Sequence, residues 1–285
     1  MTFMAFKPIY KKTFTWIGHH VDQNYAQWCK NLGFTDVVTR YDIDESGSAA
    51  NLANVGITHW RFSPSWIYAQ QPSTIDDYKA LLTQEIEVAP TGRIFVDDTF
   101  ALAAWKGFDA LENFAEAVRQ TQQNDNITLC FSLMGQSDTD LIAQLGKQLS
   151  ELNFEVYHPP TMTIDDSSMK VLLSTQAKSI GHVLWAWGWV GKGKTWENMT
   201  VRLVRKIYGE AQDYGFSRIT VFTGHETDEH EVGMKQASLY NYPYFWNLIT
   251  IMNSAFKSQS ITRFLLFRPL ARNRGSGWLS PFSLI

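Results

Sequence analysis

From residue 14 onward, short apolar runs alternate with longer amphipathic segments. Runs of four to eight apolar, β-branched or aromatic residues read as buried strands, while apolar residues recurring every third or fourth position read as helices. Eight strand-like runs result, over residues 14–19, 34–40, 57–63, 93–97, 127–133, 154–158, 182–187 and 218–223. Strand and helix in strict alternation is the signature of successive βα units and of a parallel sheet.

The intervening segments carry their own start and stop signals. The run Asp109-Ala-Leu-Glu112 can form a capping box ahead of Phe114, Ala115 and Val118, and Ser137-Asp-Thr-Asp140 introduces Leu141, Leu145 and Leu149 at helical spacing. Gly33, Gly56 and Gly215 each stand just before the next strand, where a left-handed helix end is expected. Eight such units over about 250 residues match a closed (β/α)₈ TIM barrel. An open doubly wound, Rossmann-like sheet is the alternative, because the strand, helix and strand expected over residues 127–159 suit it equally well.

Composition narrows the picture. With 285 residues, of which 45% are hydrophobic and 19% charged, the chain can bury one large core, so a single barrel domain over residues 1–256 is expected. Residues 257–285 follow as a basic extension with five Lys or Arg and no acid. A net charge of −3 has no clustered basic excess, so no nucleic-acid partner is expected. No run of about 18 apolar residues suggests a membrane span, and a cytoplasmic setting is expected. Cys29 and Cys130, in helix-like and strand-like segments, read as buried thiols.

In a barrel, chemistry is expected where each strand turns polar at its carboxyl end. The run 93–97 delivers Asp97 and its neighbour Asp98 to that rim. Two carboxyls there can divide the work: one in an apolar setting keeps its proton and acts as general acid, while the other stays ionised and orients. A structural alternative is that Asp98 caps the following segment, or that both acids bind Arg40 or Arg61. Glu226, after the eighth strand, is the distant carboxylate that could serve as nucleophile or base. Asp42, Arg61, Trp66, His158, Trp185, Trp187, Lys192 and Lys194 are the candidate substrate-binding residues. The tryptophans among them offer flat apolar faces to sugar rings or other planar ligands.

Two segments also resemble known enzymes. The run Gly56-Ile-Thr-His-Trp-Arg-Phe-Ser-Pro-Ser-Trp66 resembles the third-strand segment of barrel β-glycosidases, and Arg93-Ile-Phe-Val-Asp-Asp98 is similar to the paired-Asp strand end of O-GlcNAcase-type hexosaminidases. Each likeness covers about ten residues. Together they imply a glycoside hydrolase-type barrel. No cofactor is expected, and the expected partner is a small-molecule or oligosaccharide substrate.

Competing signals remain open at this level. Residues 188–195 (GWVGKGKT) fit the phosphate-loop pattern, and the context expected for it is a strand before and a helix after. They could instead hold a phosphorylated substrate through Lys192 and Lys194. The stretch 225–230 (HETDEH) gathers potential metal ligands that His19, His20 and His158 could join, although it is not the HExxH pattern, and no metal is assigned. A glycosyltransferase using the Asp pair, or a barrel that binds a ligand without catalysis, are the other readings.

Overall fold

The computed structural model describes residues 12–17, 20–40, 44–97, 99, 101–131, 153–158, 179–185, 187–190, 195–198 and 218–222, with side chains through Cys130 and at Arg218 and Thr220. Its strands in chain order are β1 (Lys12–Ile17), β2 (Asp36–Thr39), β3 (Thr58–Pro64), β4 (Ile94–Asp97), β5 (Ile127–Phe131), β6 (Asn153–His158), β7 (Ser179–Trp185), β8 (Trp187–Val190), β9 (Thr195–Asn198) and β10 (Arg218–Phe222). The helices are α1 (Gln23–Asn31), α2 (Glu45–Asn54), α3 (Trp66–Ala69), α4 (Ile75–Val88), α5 (Ala101–Lys106) and α6 (Phe108–Thr121).

Eight parallel strands close into a barrel in the order β1-β10-β7-β6-β5-β4-β3-β2, with β1 pairing both β10 and β2. The chain therefore has the α/β TIM-barrel fold, and an open doubly wound sheet does not describe it. Each of the eight predicted runs contributes one barrel strand.

Side chains on a strand alternate between two sides, which here are the barrel interior and the helical layer. Phe14 and Trp16 of β1, Val38 of β2, Trp60 and Phe62 of β3, Phe95 of β4 and Cys130 of β5 meet in one apolar cluster. Their rings interlock edge to face: Phe14 and Trp60 lie 5.4 Å apart, and Trp16 and Phe62 6.0 Å. The amino-terminal end of this interior is polar. Arg218, fully buried at the start of β10, donates from Nη2 to Thr128 Oγ1 at 2.7 Å and lies over the Phe14 ring. Lys12, its register partner on β1, sits over Trp60. Burial first, then repulsion from Arg218, holds the Lys12 ammonium below its ordinary pKa, while Asp36 works in the opposite direction.

The helix ends follow the sequence signals. Gly33 and Gly56 have φ of 85° and 73°, and each closes a Schellman-type end: Phe34 N bonds Cys29 O at 3.1 Å, and Ile57 N bonds Leu52 O at 3.0 Å. Gly215 and the predicted helix from Ser137 lie outside the described residues. At α6 the cap differs from expectation, for Gly107 (φ 89°) precedes the helix and Asp109 falls inside its first turn. The amphipathic face wins here: Ala110, Leu111, Phe114, Ala115, Ala117 and Val118 are all buried, and starting the helix at Phe108 keeps that face on the core.

A second difference concerns residues 187–198. Here β8 and β9 pair antiparallel, Trp187 with Asn198 and Val190 with Thr195, as a hairpin apart from the barrel. Thr195 therefore opens a strand, not a helix. A phosphate loop works by presenting the phosphates to a helix amino terminus, so this segment lacks the context expected from its pattern. Lys192 and Lys194 lie outside the described residues. The same hairpin divides the aromatic run, placing Trp185 at the end of β7 and Trp187 at the start of β8.

Candidate active site

Asp97 is the last residue of β4, paired in register with Pro64 of β3, and it is partly buried. It stands two residues beyond Phe95, so it shares the inward side of β4 with a member of the core cluster. Asp97 thus stands at the carboxyl-end mouth of the barrel, one step beyond the level of Phe62 and Phe95. Asp98 lies outside the described residues, while Thr99 is buried, its N–H donating to Cys130 O at 2.8 Å and fastening the turn after β4 to β5.

Two short helices flank this strand end. α3 follows β3 and packs against α5, which follows β4. Tyr68 anchors α3 by burying its ring against Phe114 of α6, 4.7 Å between centroids, and by a 2.9 Å hydrogen bond with Ser63. Trp66 stays 45% exposed and Trp105 of α5 53% exposed, the largest apolar side chains on the described surface. Trp66 was legible in the sequence as a rim aromatic. Trp105 was not, because it belongs to no strand end; it lies on α5, which packs against α3.

Arg61 is placed elsewhere. It alternates with Trp60 and Phe62 and therefore leaves β3 toward the helices. There its guanidinium bonds Glu45 of α2 and reaches Glu85 Oε2 of α4 at 3.4 Å. Glu85 also accepts from Ser63 Oγ at 3.2 Å, so the arginine belongs to a clamp joining β3 to α2 and α4. His59, on the same side of β3, has Nε2 2.7 Å from Thr39 Oγ1. Burial, with a smaller contribution from Arg61, lowers its pKa to about 4 and keeps the ring neutral.

His158 ends β6 and Trp185 ends β7, aligned respectively with Leu184 and Phe222, so the register puts both positions at the carboxyl-end face. Asp42, Lys192, Lys194 and Glu226 lie outside the described residues, as do His19 and the whole 225–230 stretch. Among the described residues no group of three His, Cys, Asp or Glu is arranged to hold a metal ion. Cys29 and Cys130 are buried, and burial pushes the Cys29 thiol well above its ordinary pKa. No described helix is long and apolar enough to cross a membrane.

No protein-family model matches the chain, and no curated protein matches it. Solved structures similar to it include a truncated 3-deoxy-D-arabino-heptulosonate 7-phosphate synthase from Thermotoga maritima, 13% identical over 87% of each chain with a TM-score of 0.47. An HpcH/HpaI aldolase from Desulfitobacterium hafniense DCB-2 is 8% identical over 75% of this chain and 86% of its own, with a TM-score of 0.41. The GH53 catalytic domain of Ignisphaera aggregans is 13% identical over 72% and 79%, with a TM-score of 0.44. Likenesses at this level say nothing about which reaction this chain performs.

Proposed function

We propose that the protein is a glycoside hydrolase-type barrel enzyme acting on a carbohydrate substrate, with Asp97 as the acid that protonates the leaving oxygen. The observation that carries this reading is the position of Asp97 at the end of β4, two residues beyond Phe95 of the aromatic cluster and so on the same side of the strand. A general acid needs a carboxyl held within reach of the leaving oxygen, and the carboxyl-end mouth of a barrel is where such a substrate would sit. Trp66 and Trp105, exposed on two packed helices beside that strand end, supply flat apolar faces for sugar C–H surfaces.

In this reading Asp98 orients the substrate or stabilises positive charge, and Glu226 supplies the nucleophile or base. Asp42, His158, Trp185, Trp187, Lys192 and Lys194 are the further substrate-binding candidates, and the setting is cytoplasmic. Arg61 takes no part, since its charge is committed to Glu45 and Glu85. The test is a panel of chromogenic aryl glycosides and unmodified oligosaccharides, assayed for release and, separately, for ligand-linked thermal stabilisation. Turnover supports the reading. Stabilisation by an oligosaccharide without any turnover points instead to a barrel that only binds its ligand.

A further inference from the structure

Away from Asp97, one side-chain cluster on the same face of the barrel is built around His20. The residue lies in the connection from β1 to α1, and its partners come from the adjacent connection from β2 to α2. His20 Nδ1 is 3.4 Å from the main-chain oxygen of Asp44, 3.8 Å from Asp44 Oδ2 and 3.3 Å from Ser48 Oγ. Ser48 is fully buried, and its Oγ accepts the Val21 N–H at 3.0 Å, which locks the serine between the two loops. Asp44 is meanwhile the cap of α2, accepting from Gly47 N at 2.9 Å. Asn51 adds a further tie, donating to Val21 O at 2.9 Å.

The chemistry of these partners selects a tautomer. Both oxygens of Asp44 near Nδ1 can only accept, whereas Ser48 Oγ can do either. Of the two, the main-chain oxygen at 3.4 Å is within hydrogen-bond range and the carboxylate oxygen at 3.8 Å is not; an Nδ1–H donating to that main-chain oxygen leaves the lone pair on Nε2. The other side of the ring has no hydrogen-bond partner among the described residues, and the side chain is 44% exposed. A ring held at one nitrogen by the Asp44 main-chain oxygen and Ser48, with a lone pair on the other nitrogen, suits proton transfer.

Gly47 supplies an independent mark of the same site. It occupies the first turn of α2, where glycine is a poor helix former. A Cβ there would collide with Asp44 Oδ2 and come within 3.0 Å of His20 Cε1. The helix therefore forgoes a side chain at the one position where it would push the carboxylate and the imidazole off their seats.

We propose that His20 is a proton-transfer residue at the mouth of the barrel, positioned by Asp44, Ser48 and the gap at Gly47, and that its Nε2 accepts a proton from a hydroxyl of the substrate or of water. In that step the O–H bond breaks, an N–H bond forms at Nε2, and the resulting imidazolium is balanced by the Asp44 carboxylate until the proton passes to solvent. The hydroxyl-bearing substrate rests on the carbohydrate reading above. The positioning of His20 does not.

Two measurements on the full chain separate these claims. Long-range ¹H–¹⁵N correlation spectra of uniformly labelled protein, at a pH where the ring is neutral, are expected to show the His20 ring as the Nδ1–H tautomer, with Gly47→Ala shifting it toward the Nε2–H form. His20→Gln is expected to lower kcat on carbohydrate substrate by roughly 100-fold with little change in KM, the scale of a lost acid–base group. An Nε2–H tautomer in the parent protein, or parental kcat in His20→Gln, overturns the proposal. Absence of any glycoside turnover in the parent would sink the carbohydrate reading, while the tautomer would still decide the His20 site without substrate.

Discussion

Trp60 Nε1 donates a 2.8 Å hydrogen bond to Asp36 Oδ1 inside the barrel, between neighbouring strands and with both residues buried. Thr35 Oγ1 donates to the other carboxylate oxygen at 2.6 Å, and Lys12 lies over the indole ring. A carboxylate buried this deeply is tolerable only while its oxygens are satisfied. Trp60→Phe keeps an aromatic ring in the core but removes the donor and leaves a small void. Urea unfolding is expected to show a loss of about 2–4 kcal/mol at unchanged slope. A midpoint equal to that of the parent would mean that the hydrogen bond adds nothing net.

The clamp on the opposite side of β3 predicts a different balance of effects. Arg61→Leu removes the cation that Glu45 and Glu85, both largely buried, share. Breaking a buried ion pair from one side costs about 3–5 kcal/mol, because an uncompensated charge remains. Turnover per folded molecule is expected to stay near the parental level, since the side chain faces the helices and not the mouth. A selective loss of kcat with unchanged stability would place Arg61 in the active site after all.

His59 makes stability depend on pH. Its folded pKa of about 4 lies below the ordinary histidine value of 6.5, so the unfolded chain binds a proton that the folded chain refuses. The contribution is present in full above about pH 6.5 and is lost as pH falls toward 4. Between pH 7 and 4.5 the parent is expected to lose about 2 kcal/mol relative to His59→Gln, which can keep a bond to Thr39 without titrating. Parallel pH profiles for the two proteins would show that His59 titrates normally.

The barrel was legible because its signals are local and repeated. Each strand is a short run of apolar and β-branched residues, and Gly33 and Gly56 mark helix ends with the positive φ that only glycine adopts readily. What the sequence hid depends on direction. Trp60 and Arg61 are adjacent in an apolar run, yet one fills the interior and the other joins the helical layer, and that parity is fixed only when the strand registers with its neighbours. The hairpin of β8 and β9 escaped for a related reason, as period-two tryptophans read alike in one strand or across a break. His20 meets Asp44, and α3 packs on α5, through neighbouring βα connections far apart in sequence. No motif spacing records those meetings.

The central claim is that Asp97 is the proton donor at the mouth of the barrel, and leaving-group dependence tests it most directly. Phenyl glycosides need protonation as the bond breaks, whereas 2,4-dinitrophenyl glycosides largely do not. Asp97→Asn, with unfolding behaviour equal to that of the parent, is expected to lose roughly 10²–10⁴-fold in kcat/KM on the phenyl substrate and far less on the dinitrophenyl one. Equal loss on both substrates, or no loss on either, would contradict the assignment.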